Sequence, residues 1–467
     1  MNVYTHHHDS RESLVRDAAE RAGRYLSTID ERAVAPTPEA LDALSYLGGP
    51  LPHRPTDAAT VLDMLDTFGS PATIASAGGR YFGFVNGGAL PATLAAKVLA
   101  SAWDQNAAIR AMSPVAVHLE QTALGWMREL LRLPEGTASA LVSGATMANL
   151  GCLAAARHAL LARQGWDVES QGLFGAPSIR VITSAESHVS VGKALAILGL
   201  GKDRVHKVPT DDQGRLRVDL LPEVTEPTIV CLQAGNLNTG SFDPIAAVCE
   251  ALPRDLTWVH VDGAIGLWAA VSNNHSYLLE GYEAADSWAT DGHKLLNLPY
   301  DCGMLFVRHA EALHAAMSTH APYLQTAAQP EPFQCSPEMS RRARGVEAWA
   351  AVKSLGREGI AQLMDNLCRH ARRFDEALRD CGFEVLNDVV LNQVLVSFGS
   401  DEETKEVIAA IQQDGVCWCG GTVWQGRHAM RISVASWATT DEDVERSLEA
   451  ILRAAARCGV EPLVEAV

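Results

Sequence analysis

Two acid–base side chains stand where buried strands are predicted to end. Asp262, in TWVHVDGAIG, follows the apolar run 258–261, and Lys294, in DGHKLLNLP, lies just beyond another strand-like run. A carboxylate at the end of a buried strand needs a positive or hydrogen-bonding partner, because burial alone raises its pKa. A lysine in apolar surroundings can have a lowered pKa and act as a nucleophilic amine. The alternatives are an aspartate that caps a turn and a lysine that extends into solvent.

Two further segments suit the binding of an anion and of a ring. In ALVSGATMANL a strand is predicted to end at Val142 and a helix to begin near Ala145 or Thr146, so that backbone N–H groups and a hydroxyl form an anion site. His188, in TSAESHVSV, opens a helix just past a strand. The alternatives are an ordinary turn with Ser143 as the N-cap residue, and a histidine that only caps its helix.

The elements that must position these side chains follow an alternating pattern. Between about 89 and 320, helical stretches alternate with short apolar runs at 140–142, 179–183, 228–233, 258–261, 287–289 and 303–307. Near-continuous apolar strands separated by helices predict a mostly parallel sheet that is buried on both faces. Ligands of such sheets bind at the carboxyl ends of the strands, which is where the four segments lie.

This pattern divides the 467 residues into three parts. Residues 1–75 read as helices joined by a proline-rich connection, and we predict that they wrap over the rest of the chain. Residues 76–325 form the predicted large, cofactor-binding domain. Residues 326–467 form a smaller C-terminal α/β domain, with a long helix that Gly356 and Gly359 interrupt.

Composition excludes several classes of function. A net charge of −18 disfavours binding to nucleic-acid phosphates. The ten cysteines include no CxxC pair, so we expect no metal site. No uncharged apolar run is long enough to span a membrane, and the first residues do not form a secretory signal. We therefore expect a cytoplasmic protein with reduced thiols that binds neither membrane nor nucleic acid.

The four segments together suit one cofactor, pyridoxal 5'-phosphate, which requires a phosphate anchor, a residue on the ring face, an acid for the ring nitrogen and a lysine for a Schiff base. Their order resembles that of the group II pyridoxal-phosphate-dependent decarboxylases, the family of glutamate, aromatic amino acid and tyrosine decarboxylases. The matching stretches are LVSGATMANLGCLAAAR, SAESHVSVGKA, HVDGAIG, DGHKLLNLPYDCG and MRISVASWATTDEDVERSLEAI. The resemblance implies an α/β fold of the aspartate-aminotransferase type, fold type I. This fold has a mostly parallel seven-stranded sheet in the large domain and a small C-terminal α/β domain, normally in a homodimer with active sites at the interface.

The resemblance also implies a role for each matching residue. Lys294 forms the Schiff base, Asp262 pairs with the ring nitrogen, and His188 stacks on the ring. The other cofactor contacts are expected from residues beside the ring or the phosphate, namely Ala145, Thr146, Asn238, Ala264 and His293. Substrate contacts are expected from pocket-wall residues and a carboxylate-binding arginine, namely Phe82, Phe84, Ile109 across the dimer, and Arg431.

One departure from the family pattern bears on the reaction. Many relatives carry a long loop after the position of Tyr323 and Leu324, with a tyrosine that donates a proton to the substrate carbon. Here the interval 325–342 is short and its only aromatic residue is Phe333. In this family, a non-acidic residue in place of that tyrosine favours oxidative deamination to an aldehyde.

The predicted function is α-decarboxylation of an L-amino acid to the amine and carbon dioxide, through a Lys294 Schiff base. One alternative is another pyridoxal-phosphate reaction on the same scaffold, namely decarboxylative oxidative deamination, transamination or lyase chemistry. Another is a non-enzymatic pyridoxal-phosphate-binding protein, which the presence of both Asp262 and Lys294 disfavours. A plain nucleotide-binding protein lacks support, because the chain has neither GxGxxG nor a P-loop lysine. The pocket residues leave aromatic, aliphatic and acidic substrates open.

Overall fold

Two β-sheets, one large and one small, organise the residues that the computed structural model describes, which are 11–319 and 330–460. The helices are α1 (Arg11–Ser27), α2 (Pro38–Asp42), α3 (Ala58–Met64), α4 (Pro91–Trp103), α5 (Pro114–Leu130), α6 (Ala145–Ala162), α7 (Val168–Gln171), α8 (Val189–Ile197), α9 (Ile245–Ala251), α10 (Ala310–Met317), α11 (Gly345–Asp380), α12 (Asp401–Asp414) and α13 (Asp441–Arg457). The strands are β1 (Ala138–Val142), β2 (Arg180–Ser184), β3 (His206–Val208), β4 (Thr228–Gln233), β5 (Thr257–Asp262), β6 (Ser287–Asp291), β7 (Gly303–Val307), β8 (Glu384–Val385), β9 (Gln393–Ser397), β10 (Gly420–Trp424) and β11 (Arg427–Ser433).

The large sheet has seven strands in the order β1-β7-β6-β5-β4-β2-β3. Neighbouring strands from β6 to β3 are parallel, whereas β7 is antiparallel to both β1 and β6. Every residue of β4, β5, β6 and β7 is buried, as expected for strands that are covered on both faces. The prediction of a mostly parallel seven-stranded sheet is confirmed. The short strand β3 was not predicted, because two of its three residues are exposed and polar.

The small sheet has four antiparallel strands in the order β10-β11-β9-β8. Helices α11, α12 and α13 pack against it or against one another. Helix α11 also packs on α4 and α5, so it joins the two lobes. Its helical geometry is interrupted at Gly356, where φ is 62°, a conformation that glycine adopts without steric cost.

The N-terminal segment lies at the surface before the chain enters the interface between the two sheets. Helices α1, α2 and α3 contain no buried residue. Further along, Phe82 N donates to Trp418 O, Trp418 N donates to Arg80 O, and Ser433 N donates to Phe82 O. Residues 80–82 therefore bind to the small lobe, although the sequence division counts them with the large domain. The three-part division itself stays a proposal.

Two kinds of feature, a membrane-spanning helix and a cluster of metal ligands, are absent from the described ranges. No helix in residues 11–319 or 330–460 is long and apolar enough to cross a membrane. In the same residues, no group of three or more His, Cys, Asp or Glu side chains is arranged to hold a metal ion.

Candidate active site

The carboxyl ends of the central parallel strands open into a cavity of about 370 Å³. Strand β5 ends on Asp262 and its neighbour β6 ends on Asp291. The cavity is lined by Phe84, Gly144, Ala145, Thr146, His188, Ser190, Gln233, Gly235, Leu237, Asp262, Ala264, Ile265, Asp291, His293, Lys294, Tyr300 and Arg431. Lysine, carboxylates, imidazoles and a guanidinium thus meet in one pocket.

Lys294 lies three residues beyond the end of β6 and is held by that strand's last side chain. Its Nζ is 2.9 Å from Asp291 Oδ2. Asp291 Oδ1 accepts a hydrogen bond from Ala145 N at 2.7 Å and lies 3.6 Å from His293 Nε2. The sequence reasoning gave Asp291 no role, although it ends an apolar strand just as Asp262 does. Its position, directly before the turn that carries the lysine, was the available signal.

Both carboxylate oxygens of Asp262 are fixed by N–H donors. Oδ1 accepts from Ala264 N at 3.2 Å, and Oδ2 accepts from Asn149 Nδ2 at 3.0 Å. The residue is 4% exposed and lines the cavity. A buried carboxylate with two oriented donors presents its charge in one direction, towards the cavity. Asn149 was missed because nothing in an alanine-rich helix sequence marks an asparagine as facing a strand end.

The two site histidines are neutral donors and acceptors. His188 is the N-cap residue of α8, where its Nδ1 accepts from Ser190 N and lies 2.7 Å from Ser190 Oγ. Burial lowers the pKa of His188 and also that of His293. His293 Nδ1 accepts from Cys302 N at 3.2 Å, and its ring packs 4.4 Å from that of Tyr300. His188 therefore caps its helix and also lines the cavity, so the two interpretations are compatible.

Two residues in the cavity wall, Thr146 and Arg431, have polar groups that are available to bind an anion. Across the ranges 11–319 and 330–460, neither the amide N–H nor the hydroxyl of Thr146 has a hydrogen-bond partner, and Thr146 stands at the start of α6. Arg431, on β11, donates to Leu237 O at 3.4 Å but pairs with no carboxylate in the described chain. Burial lowers the pKa of Arg431. A helix N-terminus with a free hydroxyl and a buried unpaired guanidinium both suit anions.

The structure moves two predicted contact residues away from the cavity. Phe82 is fully buried, with its ring 5.1 Å from that of Phe374 in the core, so its contact with substrate stays a prediction that this packing does not favour. Asn238 points instead to the small lobe, where its Oδ1 accepts from the Thr422 hydroxyl at 3.0 Å. Both lie outside the cavity lining.

The other substrate-side predictions have different outcomes. Phe84 lines the cavity mouth and stacks 5.6 Å from Trp418. Ile109 is half-buried and does not line the cavity of its own chain, so its contribution across a dimer stays a prediction. Tyr323 and Leu324 lie outside the described residues.

A buried amide that the sequence did not reveal fixes the turn after the lysine. Asn297 Oδ1 accepts from Gly88 N and from Trp437 N, both at 2.8 Å. Its Nδ2 donates to Ala435 O and Leu295 O, both at 2.9 Å. The Asn297 backbone has a φ of 57°, which asparagine tolerates better than most residues.

Gly87 is the closest neighbour of the lysine turn and gives a direct test of its position. A Cβ atom at Gly87 would lie 2.0 Å from Lys294 O, a distance at which the backbone must move. We expect Gly87→Ala to weaken cofactor binding by about 100-fold, since a 1 Å displacement of a positioning group has effects of that order. The measurement is a fluorescence titration with cofactor. In the control Gly125→Ala, the nearest atom is 3.9 Å away, and affinity should be unchanged. Normal affinity in Gly87→Ala would contradict the argument.

The donor set fits pyridoxal phosphate. The free Thr146 groups at the N-terminus of α6 suit a phosphate, Asp262 suits a protonated ring nitrogen, and Lys294 suits an aldehyde. Ala145 N is already bound to Asp291, so of the two predicted phosphate donors only Thr146 is free in the described chain.

Comparisons with known proteins agree with this fit. The model of the pyridoxal-dependent decarboxylase conserved domain matches residues 76–399. The L-2,4-diaminobutyrate decarboxylase of Rhizobium meliloti (strain 1021) is 30% identical over 384 residues, covering 78% of this chain and 75% of the relative. Tryptophan decarboxylase 1 of Oryza sativa subsp. japonica is 26% identical over 491 residues, covering 95% and 93%.

A solved structure supports the same fold. The Oryza sativa TDC crystallised with PLP and tryptamine superposes with a TM-score of 0.88 at 22% identity, covering 97% of this chain and 99% of that one. The fold is thus fold type I, and the cofactor is pyridoxal phosphate, as the sequence predicted. The family model covers residues 76–399, and the diaminobutyrate decarboxylase is 30% identical over 78% of the chain. This chain therefore belongs to the pyridoxal-dependent decarboxylases, a family of amino-acid decarboxylating lyases.

Proposed function

We propose that this chain removes the α-carboxyl group of an L-amino acid as carbon dioxide and releases the amine, with Lys294 as the residue that binds the cofactor covalently. The observation that carries the proposal is the meeting of Lys294, Asp262 and the unpaired Arg431 in one cavity. When bound, pyridoxal phosphate supplies an electron sink for the pair left behind by the departing carboxyl group.

The protein's own residues would bind, orient and hold protons. Asp262 would hold a proton at the ring nitrogen, and Thr146 would bind the phosphate through its N–H and hydroxyl. His188 would pack against the ring, and the small side chain of Ala264 would leave room for it. Lys294 Nζ would accept and return a proton at the substrate amine, and Asp291 Oδ2, 2.9 Å away, would orient it.

The cavity wall favours a substrate with an uncharged, apolar or aromatic side chain. Beyond the lysine it is formed by Phe84, Leu237, Ile265 and Tyr300. Burial raises the pKa of Tyr300 to about 12, so its hydroxyl stays neutral. Of the described residues that line the cavity, Asp262 and Asp291 carry the carboxylates, and both already have hydrogen-bond or ion-pair partners, so we expect a cationic side chain to find no free anion there.

A product screen tests the proposal. Purified protein with added pyridoxal phosphate is incubated with each standard amino acid, and carbon dioxide and amine are measured by mass spectrometry. We expect turnover of aromatic or large aliphatic amino acids and none of lysine, aspartate or glutamate. Carbon dioxide with aldehyde, ammonia and peroxide would instead identify the oxidative reaction that the tyrosine-free interval 325–342 favours. Absence of carbon dioxide from every substrate would contradict the proposed function.

Arg431 is expected to bind the substrate carboxylate. In Arg431→Met we expect KM to rise by about 100-fold while cofactor affinity is kept, because a buried charge-assisted contact is lost from the bound substrate. Steady-state kinetics on the best substrate from the screen give the measurement. The matched control is Arg427→Met on the same strand, where an exposed pair with Glu384 contributes little. Equal KM values in the two variants would remove Arg431 from the substrate site.

We further propose a homodimer with the active sites at the interface. Large apolar side chains are exposed on the N-terminal segment, among them Leu41, Tyr46, Leu51 and Leu65. Leu51 alone is 89% exposed, and we propose that the partner subunit covers these side chains. Sedimentation analysis should give twice the chain mass, and a fully active monomer would contradict the proposal.

A cytoplasmic location is also proposed. All ten cysteines are free, and nine of them are buried, which suits a reducing compartment.

A further inference from the structure

A continuous series of buried polar side chains lies behind Asp262, on the side away from the cavity. Trp258 Nε1 is 2.9 Å from Ser287 Oγ, and Ser287 Oγ is 2.9 Å from His260 Nδ1. His260 Nε2 is 2.9 Å from Asn149 Oδ1, and Asn149 Nδ2 is 3.0 Å from Asp262 Oδ2. Trp258, Ser287, His260 and Asn149 are all fully buried.

The direction of every hydrogen bond in this series follows from its ends. A carboxylate only accepts, so the amide of Asn149 must turn its Nδ2 towards Asp262 and its Oδ1 towards His260. His260 Nε2 therefore carries a proton and donates it. The indole of Trp258 only donates, so the Ser287 hydroxyl accepts from it and gives its own proton to His260 Nδ1.

The series is electrically neutral up to the carboxylate. Burial lowers the pKa of His260 to about 4, so its imidazole is uncharged at neutral pH. Within the described chain, Asp262 forms no ion pair with a lysine, arginine or histidine. The carboxylate is thus oriented by an amide rather than neutralised by a cation, and its charge is left for a group inside the cavity.

Asn149 also connects to His188. The second hydrogen of its Nδ2 is directed to Ser190 Oγ at 3.2 Å. The Ser190 hydroxyl then donates to His188 Nδ1, 2.7 Å away, which leaves the proton of neutral His188 on Nε2. The amide of Asn149 therefore fixes the orientation of two groups, the carboxylate predicted to face the ring nitrogen and the imidazole predicted to face the ring.

We propose that Asn149, supported by neutral His260, is a positioning residue that holds Asp262 and His188 in register and thereby keeps the cofactor's ring nitrogen protonated. This inference rests on the proposed function only in assuming that Asp262 faces that nitrogen. Neither Asn149 nor His260 touches the cavity, so their effect must pass through Asp262 and His188.

The test measures the protonation state of the cofactor's ring nitrogen directly. The holoenzyme is prepared with pyridoxal phosphate that carries nitrogen-15 in the ring, and the chemical shift is followed across neutral pH without substrate. Wild-type protein should show a protonated nitrogen throughout. In Asn149→Leu, which keeps the number and branching of the side-chain heavy atoms but removes both N–H donors, the shift should move towards the unprotonated value. On the substrate found in the screen, kcat should fall by about 10- to 100-fold, the range typical for loss of an orienting hydrogen bond, with KM nearly unchanged.

Conservative and control variants separate positioning from folding. His260→Gln keeps a donor for Asn149 Oδ1 and should retain a protonated nitrogen, whereas His260→Leu should behave like Asn149→Leu. Leu160→Ala, on the same helix, removes a buried side chain that forms no hydrogen bond with the series and reports any general loss of stability. A protonated nitrogen in Asn149→Leu, with kcat equal to that of Leu160→Ala, would overturn the inference. An unprotonated nitrogen in the wild type would instead contradict the role of Asp262 in the proposed function.

Discussion

Replacing Lys294 with alanine should leave a folded protein that cannot attach its cofactor covalently. Lys294 is the one lysine among the described residues that line the cavity, so its amine is the one expected to form the bond. We expect the visible absorbance band of the bound cofactor to disappear and kcat to fall by about 10⁴-fold or more, the order of loss when a nucleophile is removed from an enzyme. Borohydride reduction of the wild type, followed by peptide mapping, should find the added mass on Lys294.

The Lys294 variant needs a check on folding, because its loss leaves the buried Asp291 with one fewer partner. The remaining bond from Ala145 N, at 2.7 Å, should hold that carboxylate in place. Thermal unfolding therefore accompanies the spectra. Lys353→Ala, at an exposed position on α11, serves as the control and should keep both the band and turnover. A reduced peptide that maps to another lysine would contradict the assignment.

The second large effect is expected at Asp262. Asp262→Asn keeps the shape, but its single carbonyl oxygen can accept from only one of Ala264 N and Asn149 Nδ2, and it removes the negative charge that we propose faces the ring nitrogen. We expect kcat to fall on the order of 10³-fold. A large loss also follows in serine proteases when the aspartate beside the catalytic histidine is replaced by asparagine. KM should change little, because the substrate carboxylate lies with Arg431 in our proposal. Steady-state kinetics and the absorbance spectrum give the measurement.

The control for this variant is an aspartate of equal burial at the opposite end of the sheet. Asp286 is 3% exposed, accepts from Val259 N at 2.7 Å and pairs with Arg254. Asp286→Asn should lower stability without changing kcat, since it lies at the amino end of β6. If both variants kept wild-type kcat, Asp262 would have only a structural role.

Much of the fold was predictable because apolar runs between helices report burial directly. The strands that end on Asp262 and Asp291 are buried along their whole length, and such runs need a covering layer on each face. The residues at those strand ends could then be placed in one cavity by topology alone. The interruption at Gly356 was also predicted, because glycine in a long helix marks a break in helical geometry, whereas the interruption predicted at Gly359 was wrong, because the helix continues through that residue.

The differences between the expected and the observed positions have local physical causes. Phe82 and Phe84 are two residues apart, a spacing that puts both rings on one face of an extended strand. The chain instead turns at Phe84 and Val85, whose φ values are 53° and 58°, so Phe82 packs in the core and Phe84 reaches the cavity mouth. No sequence pattern predicts a left-handed backbone conformation at bulky residues such as these. Asn149 was hidden for another reason, because its partners Asp262 and His260 lie more than a hundred residues away in sequence.

The amide of Asn297 has a consequence for how this enzyme can be redesigned. It binds the backbone directly after the lysine, the backbone at Gly88, and the segment 435–437 that follows the arginine-bearing strand β11. The turn that carries Lys294 and the segment that follows the Arg431 strand are therefore held by the same side chain. A chimera that exchanges the C-terminal lobe for that of a relative, in order to change substrate preference, must graft a backbone that meets this amide in the same geometry. Otherwise the exchange will shift the lysine along with the arginine.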